Sequence, residues 1–379
     1  MKYLSISILY LLTLAATAVA QNQFVYVNNQ TFHNTISAFQ INSDGSLTQI
    51  SGSPFLSGGN GAQGPIGGLA IAAESSGNYL YATNGANGTV SALKITPSNG
   101  SLSPVPGSPF RVGGESGPYY VAASADGRFL FVTNSFSTEI RVYAISPRTG
   151  SLVELPGSPF AAGANIEVMK VTANGKFLIA AANSINAVAV FSISPKGALT
   201  PVSGSPFAAS GSAAAVDSNC ANNQVFAVSN STYLIDAYSL ASNGSLTPVS
   251  GSPFSNGTTG TGNNSFDLVL SPNSQFLFTT DSFTQDISSF AVSSAGSLSA
   301  VEGSPFFTSE WTGGTAITHG GDFLYTVLFA SGEIDARSVS STGALTAVPG
   351  TPFGPGNENS PDGEVNSVIT FPPPRCSQF

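Results

Sequence analysis

Charge is scarce in this sequence: only 8% of its 379 residues are Asp, Glu, Lys or Arg. Solubility must therefore rest on Ser, Thr, Asn and Gly, and ion pairs can contribute little to the fold. The eleven Lys and Arg are scattered and the formal net charge is −9, which argues against nucleic acid and against a polyanionic substrate, since phosphates need clustered cations. Cysteine is nearly absent, with only Cys220 and Cys376, so disulfides are not the framework, although an exported chain has the option of one bridge. Two histidines, His33 and His319, are too few for a histidine metal cluster. Helical periodicity is missing from residue 21 onward, and no nucleotide-binding glycine loop, GxSxG elbow, HExxH or CxxC occurs.

Long apolar runs are also missing, with one exception at the start. Lys2 precedes an apolar run from Leu4 to Leu14, followed by the small-residue site Ala18-Val19-Ala20. This is the pattern of a signal peptide over 1–20, cleaved near Ala20 to leave a single domain over 21–379. The run is shorter than the roughly 20 residues a bilayer span needs, so no membrane span is expected and the protein is placed outside the cytoplasm, secreted or periplasmic.

What is abundant is turn and sheet chemistry: 41 Gly, 24 Pro and 26 Phe. Gly supplies positive φ and Pro fixes φ in tight turns, while Phe fills sheet interfaces, so an all-β fold follows. The tetrapeptide GSPF, in its last copy GTPF, begins at Gly52, Gly107, Gly157, Gly204, Gly251, Gly303 and Gly350. The spacing of 47 to 55 residues is that of a repeat architecture, and the content of each unit decides which. The third reads as four strands: YYVAAS from Tyr119, RFLFVTN from Arg128, EIRVYAIS from Glu139 and SLVELPGSPF from Ser151. The period-two alternation offers apolar groups to both faces, as a sheet between two neighbouring sheets requires.

The second strand recurs as FVYVNN, NYLYATN, RFLFVTN, KFLIAAA, QVFAVSN, QFLFTTD and DFLYTVL. The third strand keeps a large residue at one place, Phe39, Leu93, Tyr143, Phe191, Tyr238 and Phe290, with Arg337 the exception. Seven four-stranded units predict a seven-bladed β-propeller. Since the first unit opens on its second strand at Phe24 and the chain ends with an unpartnered strand over 364–371, the last strand should complete the first blade and close the ring.

FVTN and YATN, followed by an I-x-V-Y strand and then G-S-L-x-x-x-x-G-S-P-F, resemble the YVTN-type repeats of the lactonase-like family of seven-bladed propellers, which includes 6-phosphogluconolactonase and a carboxymuconate cyclase. The resemblance implies lactone hydrolysis, with a His after Pro at the start of an innermost strand. In Gly117-Pro118-Tyr119-Tyr120 a Tyr stands there instead. Binding of a small molecule, a glycan or a protein at the channel entrance is therefore placed first. A lactone hydrolase of the 6-phosphogluconolactonase kind, a carboxylic ester hydrolase, is the alternative, and a structural extracellular repeat module comes third.

In a propeller the loops entering each innermost strand and those between the second and third strands share one face around the channel. His33 falls on that face, and with Glu167 it is the candidate general base. Arg111, Glu115, Tyr119, Tyr120, Asp267, Glu310, Trp311 and Glu364 are the candidate ligand contacts: carboxylates beside aromatic rings suit sugar hydroxyls or a cationic ligand. The metal content is unknown from the sequence; no cofactor is expected, although such carboxylates would also accept Ca²⁺. A monomer is expected. The tail Phe371-Pro-Pro-Pro-Arg-Cys376 leaves on the opposite face, where Cys220 also falls, so a bridge between them would carry the tail across the channel floor.

Overall fold

Each second strand is buried along its whole length, save the half-buried Phe323 that opens the last, and that explains its composition. Phe129–Asn134 (FLFVTN) lies between the strands Pro118–Ala123 and Glu139–Ile145 of its own sheet and is covered on both faces by the adjacent sheets. A strand in that position has no solvent face, so it reads as a continuous run of aromatic and β-branched residues. The computed structural model describes residues 22–61, 70–113, 117–257, 265–354, 367–374 and 376. Within them the chain forms seven antiparallel sheets, each with four strands, A innermost to D outermost, arranged as the blades of a propeller.

The ring closes as the sequence predicts. Strand B of blade 1, Phe24–Asn28, pairs on one side with strand C, Thr35–Ile41, and on the other with the last strand of the chain, Ser367–Phe371, in the register Val25↔Thr370 and Val27↔Val368. Among the described residues the buried side chains form seven clusters, and each straddles two adjacent blades. Phe39, Leu93, Tyr143, Phe191, Tyr238 and Phe290 are all buried within them. Tyrosines of three B strands also latch onto the next blade: the hydroxyls of Tyr26, Tyr81 and Tyr325 donate to the carbonyls of Gly100, Gly150 and Gly45, at 2.8 to 2.9 Å. Gly100 could not be another residue, for its φ is +72° and an added Cβ would lie 2.6 Å from the Phe24 ring. The exception, Arg337, places its guanidinium on Asp335 at 2.6 Å and on the Phe307 carbonyl at 2.8 Å.

The sequence motif GSPF proves to be a joint rather than the end of strand D. In blade 3 strand D is only Leu152–Glu154; the chain then turns and a two-residue strand, Phe160–Ala161, pairs back onto strand C. Between the two pairings one backbone N–H of strand C has no partner strand, and the motif's hydroxyl accepts it. The amides of Ala38, Ala92, Val142, Val190, Ala237, Ser289 and Ala336 donate to Ser53, Ser108, Ser158, Ser205, Ser252, Ser304 and Thr351, at 2.7 to 3.1 Å. The seven-fold use of Ser or Thr thus has one cause, the need to satisfy a buried donor.

After Phe371 the tail crosses the end of the channel on the side of the turns joining strands A and B. Cys376 is bridged to Cys220 of blade 5, with 5.2 Å between their Cα atoms, and the His319 ring nitrogen Nδ1 lies 3.1 Å from the Pro373 carbonyl of the tail.

Two outcomes follow from this architecture. Ser108→Ala should lower the unfolding free energy by about 1–3 kcal/mol, since the Ala92 amide is left unpaired, while Ser108→Thr, the residue the last repeat uses, should be near neutral; chemical denaturation measures both. Cys376→Ser should destabilise by about 2–4 kcal/mol, read in the same way.

Candidate functional site

The seven A strands enclose a central cavity of about 870 Å³, lined at one end by Pro373, Pro374 and the Cys220–Cys376 bridge. Four of these strands, in blades 3, 5, 6 and 7, carry a register shift near their start, where the loops enter from the open face. A bulge re-aims side chains, and Tyr119 and Phe266 sit at two of these shifts and line the cavity.

The polar groups of the cavity come from successive blades. Tyr119 and Tyr120 are supplied by blade 3, Glu167 and Lys170 by blade 4, Asp217 by blade 5 and Asp267 by blade 6. Lys170 Nζ is 3.4 Å from Asp217 Oδ1. Asp217 and Asp267 also stitch the ring, because an innermost strand exposes unpaired backbone amides at its edge. The Leu270 amide donates to Asp217 Oδ2 at 3.0 Å, and the Thr315 amide donates to Asp267 Oδ2 at 2.9 Å, each bond crossing to the next blade.

Burial dominates the proton affinities. It pushes the Glu167 carboxyl up to about 7. It also raises Asp267 to about 6, although the Thr315 and Leu268 amides and Lys170 oppose the rise. Burial raises the Tyr119 hydroxyl well above its usual range, helped by the charge of Glu167, and raises Tyr120 likewise, helped by Asp267 and Asp217. The tyrosines are therefore hydrogen-bond donors at neutral pH, and Glu167 is the cavity carboxyl able to give or take a proton there.

The candidates of the sequence divide accordingly. Tyr119, Tyr120, Glu167 and Asp267 meet in the cavity. His33 is exposed on the open face, its ring 4.8 Å from that of Phe32, and does not line the cavity. Arg111 is exposed on the two-residue strand Phe110–Arg111 paired to strand C of blade 2, and does not line the cavity. Glu310 accepts the Ser331 amide at 2.9 Å and so braces the loop between strands B and C of blade 7. Trp311 lies on the open face against Phe283, ring centres 5.7 Å apart. Glu115 and Glu364 lie outside the described residues.

Sequence reasoning missed Asp217 and Lys170, whose signal was a charge inside otherwise apolar innermost strands, AAAVDS and MKV. It also missed the companions of Trp311 on a rim: Phe32, Phe136, Ile185 and Phe283 stand with it around the open face, all five 46% to 73% exposed. Apolar residues in loops where Gly, Asn or Ser would serve were the available sign. Among the described residues no three His, Cys, Asp or Glu side chains gather as a metal site, and no helix is long and apolar enough to cross a membrane.

The family model described as "Lactonase, 7-bladed beta-propeller" matches residues 18–168. No curated protein matches the sequence. Among solved structures, the Pseudomonas aeruginosa periplasmic gluconolactonase PpgL superposes with a TM-score of 0.73 at 15% identity, covering 92% of this chain and 98% of its own. A Bacteroides uniformis protein proposed to be a 6-phosphogluconolactonase gives 0.74 at 17% identity, covering 92% of this chain and 99% of its own. A Lactobacillus plantarum protein gives 0.70 at 14% identity, covering 92% and 98%. In sequence over residues 18–168, and in fold around the ring, this chain is similar to the lactonase-type seven-bladed propellers.

Proposed function

We propose that the channel binds a small, unphosphorylated, hydroxyl-rich molecule such as a sugar or sugar lactone. The observation that carries this reading is the central cavity of about 870 Å³ in which Tyr119, Tyr120, Glu167, Lys170, Asp217 and Asp267 converge from four blades. That volume suits a small ligand, and alternating donors and acceptors suit hydroxyl groups. Lys170 is the only cation among the described lining residues, and Asp217 already engages it, so a phosphate would find little compensation. Export through the segment 1–20 agrees with the disulfide, since such bridges persist in oxidising compartments.

Turnover of a lactone is the second reading, and the specific observation favouring it is the position of Glu167. As the carboxylate it takes a proton from a water molecule, whose oxygen attacks the lactone carbonyl. The tyrosine hydroxyls donate to the oxyanion, and the protonated Glu167 returns its proton to the leaving ring oxygen as the ester C–O bond breaks.

Titration calorimetry with glucose, gluconate and glucono-lactone should show binding that Asp267→Asn and Tyr120→Phe each weaken by about tenfold. Absence of binding to any of them would discard the reading. If glucono-lactone is hydrolysed, Glu167→Gln should lower kcat by about 10² or more, and the wild-type rate should rise with pH through about 7, because only the carboxylate is a base. A pH profile that is flat from 5 to 9, or full activity in Glu167→Gln, would remove Glu167 from the chemistry.

A further inference from the structure

Blade 6 departs from its sister blades at one small block of residues. In the register of its strands B (Phe276–Asp281) and C (Asp286–Val292), Asp281 is opposite Asp286 and Thr279 is opposite Ser288. Directly opposed residues, and residues two apart on a strand, share a face, so these four side chains form one block. The face is the one packed on blade 5, where the next pair along, Leu277 and Phe290, joins Phe226 and Val228.

The same positions in blade 2 hold Asn84, opposite Thr89, and Ser91. There donors and acceptors balance: Asn84 Nδ2 donates to the Thr89 hydroxyl at 3.0 Å and to the Ser91 hydroxyl at 2.7 Å, and Ser91 donates onward to the Ser57 carbonyl at 2.8 Å. Blade 1 repeats the arrangement with Asn29, Thr35 and Ser37 at 2.9 and 2.8 Å. In blade 6 the amide donor and the threonine have both become carboxylates.

The substitution leaves a surplus of acceptors in a dry place. Asp281, Asp286, Ser288 and Thr279 are each at most 4% exposed. Asp281 Oδ1 receives Ser265 and Asn256, and the Thr279 and Thr284 hydroxyls stand beside the Asp281 and Asp286 carboxylates, but among the described residues Asp281 Oδ2, Asp286 Oδ1 and the fully buried Ser288 Oγ are left without a hydrogen-bond partner. Among the described residues no ion pair reaches either carboxylate. Two carboxylates opposed in a buried ladder are costly without a counter-charge, and an unpartnered buried oxygen on each of Asp281, Asp286 and Ser288, all on one face, calls for an occupant.

We propose that Asp281, Asp286, Ser288 and Thr279 form a buried calcium site between blades 5 and 6. Carboxylate and hydroxyl oxygens select a hard cation, and the block has no sulfur or imidazole for a softer one. Two carboxylates balance a divalent charge, and an irregular all-oxygen set suits calcium, whereas magnesium demands near-ideal octahedral geometry. None of the four lines the channel cavity, although Ser265, which donates to Asp281, does. Its role is to fasten the interface of two blades.

The test compares the wild-type full chain, stripped with EDTA, with the double variant Asp281→Asn/Asp286→Thr, which rebuilds the residues of blade 2. At pH 8 CaCl₂ at a hundredfold excess over its Kd should raise the wild-type Tm by roughly 5 °C, with a smaller rise at pH 5.5 where protons compete for the two carboxylates. The double variant should need no calcium and show no calcium-dependent shift. Should that variant fail to fold, Ser288→Ala serves instead, with calcium Kd by calorimetry weakened at least tenfold. A wild-type protein that binds no calcium at pH 8 would overturn the proposal in favour of a proton shared by the two aspartates. An undiminished calcium response in the double variant or in Ser288→Ala would overturn it too, by placing the cation elsewhere.

Discussion

The antiparallel pairing of Phe24–Asn28 with Ser367–Phe371 joins the two ends of the chain, and the channel exists only because that pairing is made. A blade buries its faces against its two neighbours and has no hydrophobic core of its own, as the seven clusters straddling blade interfaces demonstrate. An open ring would leave two of those faces in water and one innermost strand missing. Closure therefore turns seven marginal sheets into one cooperative unit, and hydrophobic burial at the interfaces supplies most of the driving force. The tyrosine latches from Tyr26, Tyr81 and Tyr325 add direction to this packing by tying each of those blades to a turn of the next.

Closure also creates a problem that the channel residues solve. Seven innermost strands turn an unpaired edge toward the axis, and their amides need acceptors. Asp217 and Asp267 meet that need across blade boundaries, so carboxylates come to stand at the axis beside the tyrosines and apolar side chains of the innermost strands. Burial also raises the proton affinity of Asp267, and Glu167, raised to about 7 with no ion-pair partner among the described residues, is left poised for proton transfer. Structure and chemistry thus share their origin in a dry, closed axis.

Internal repetition gives each blade six approximate copies against which its departures can be judged. Arg337 breaks the row of large residues on strand C, and its guanidinium is taken up by Asp335 and the Phe307 carbonyl, so the departure is compensated locally. Asp281 and Asp286 break the Asn, Thr and Ser pattern of blades 1 and 2 and are compensated only in part, by hydroxyl and amide donors and, among the described residues, by no counter-charge. A departure compensated within the protein is accounted for, and one left uncompensated in a buried place points outside it.

The number of blades, their strand order and the closing strand were legible in the sequence, because turn glycines, GSPF copies and period-two apolar runs are local features that recur at fixed spacing. The joint made by each GSPF was not legible: a serine hydroxyl serving a backbone amide of another strand is a contact across about 15 residues, and nothing at the motif itself announces it. Tyr119, Tyr120, Glu167 and Asp267 could be singled out as chemistry at the starts of innermost strands, but their meeting with Lys170 and Asp217 follows from ring geometry. The placement of His33 and Arg111 away from the cavity was decided in the same way, since sequence position sets which loop or strand a residue occupies but not its distance from the axis. The sequence by itself determined the wheel, through local propensity repeated seven times; only the tertiary structure decided which side chains reach the axle, because that depends on twist, bulges and the closure of the ring.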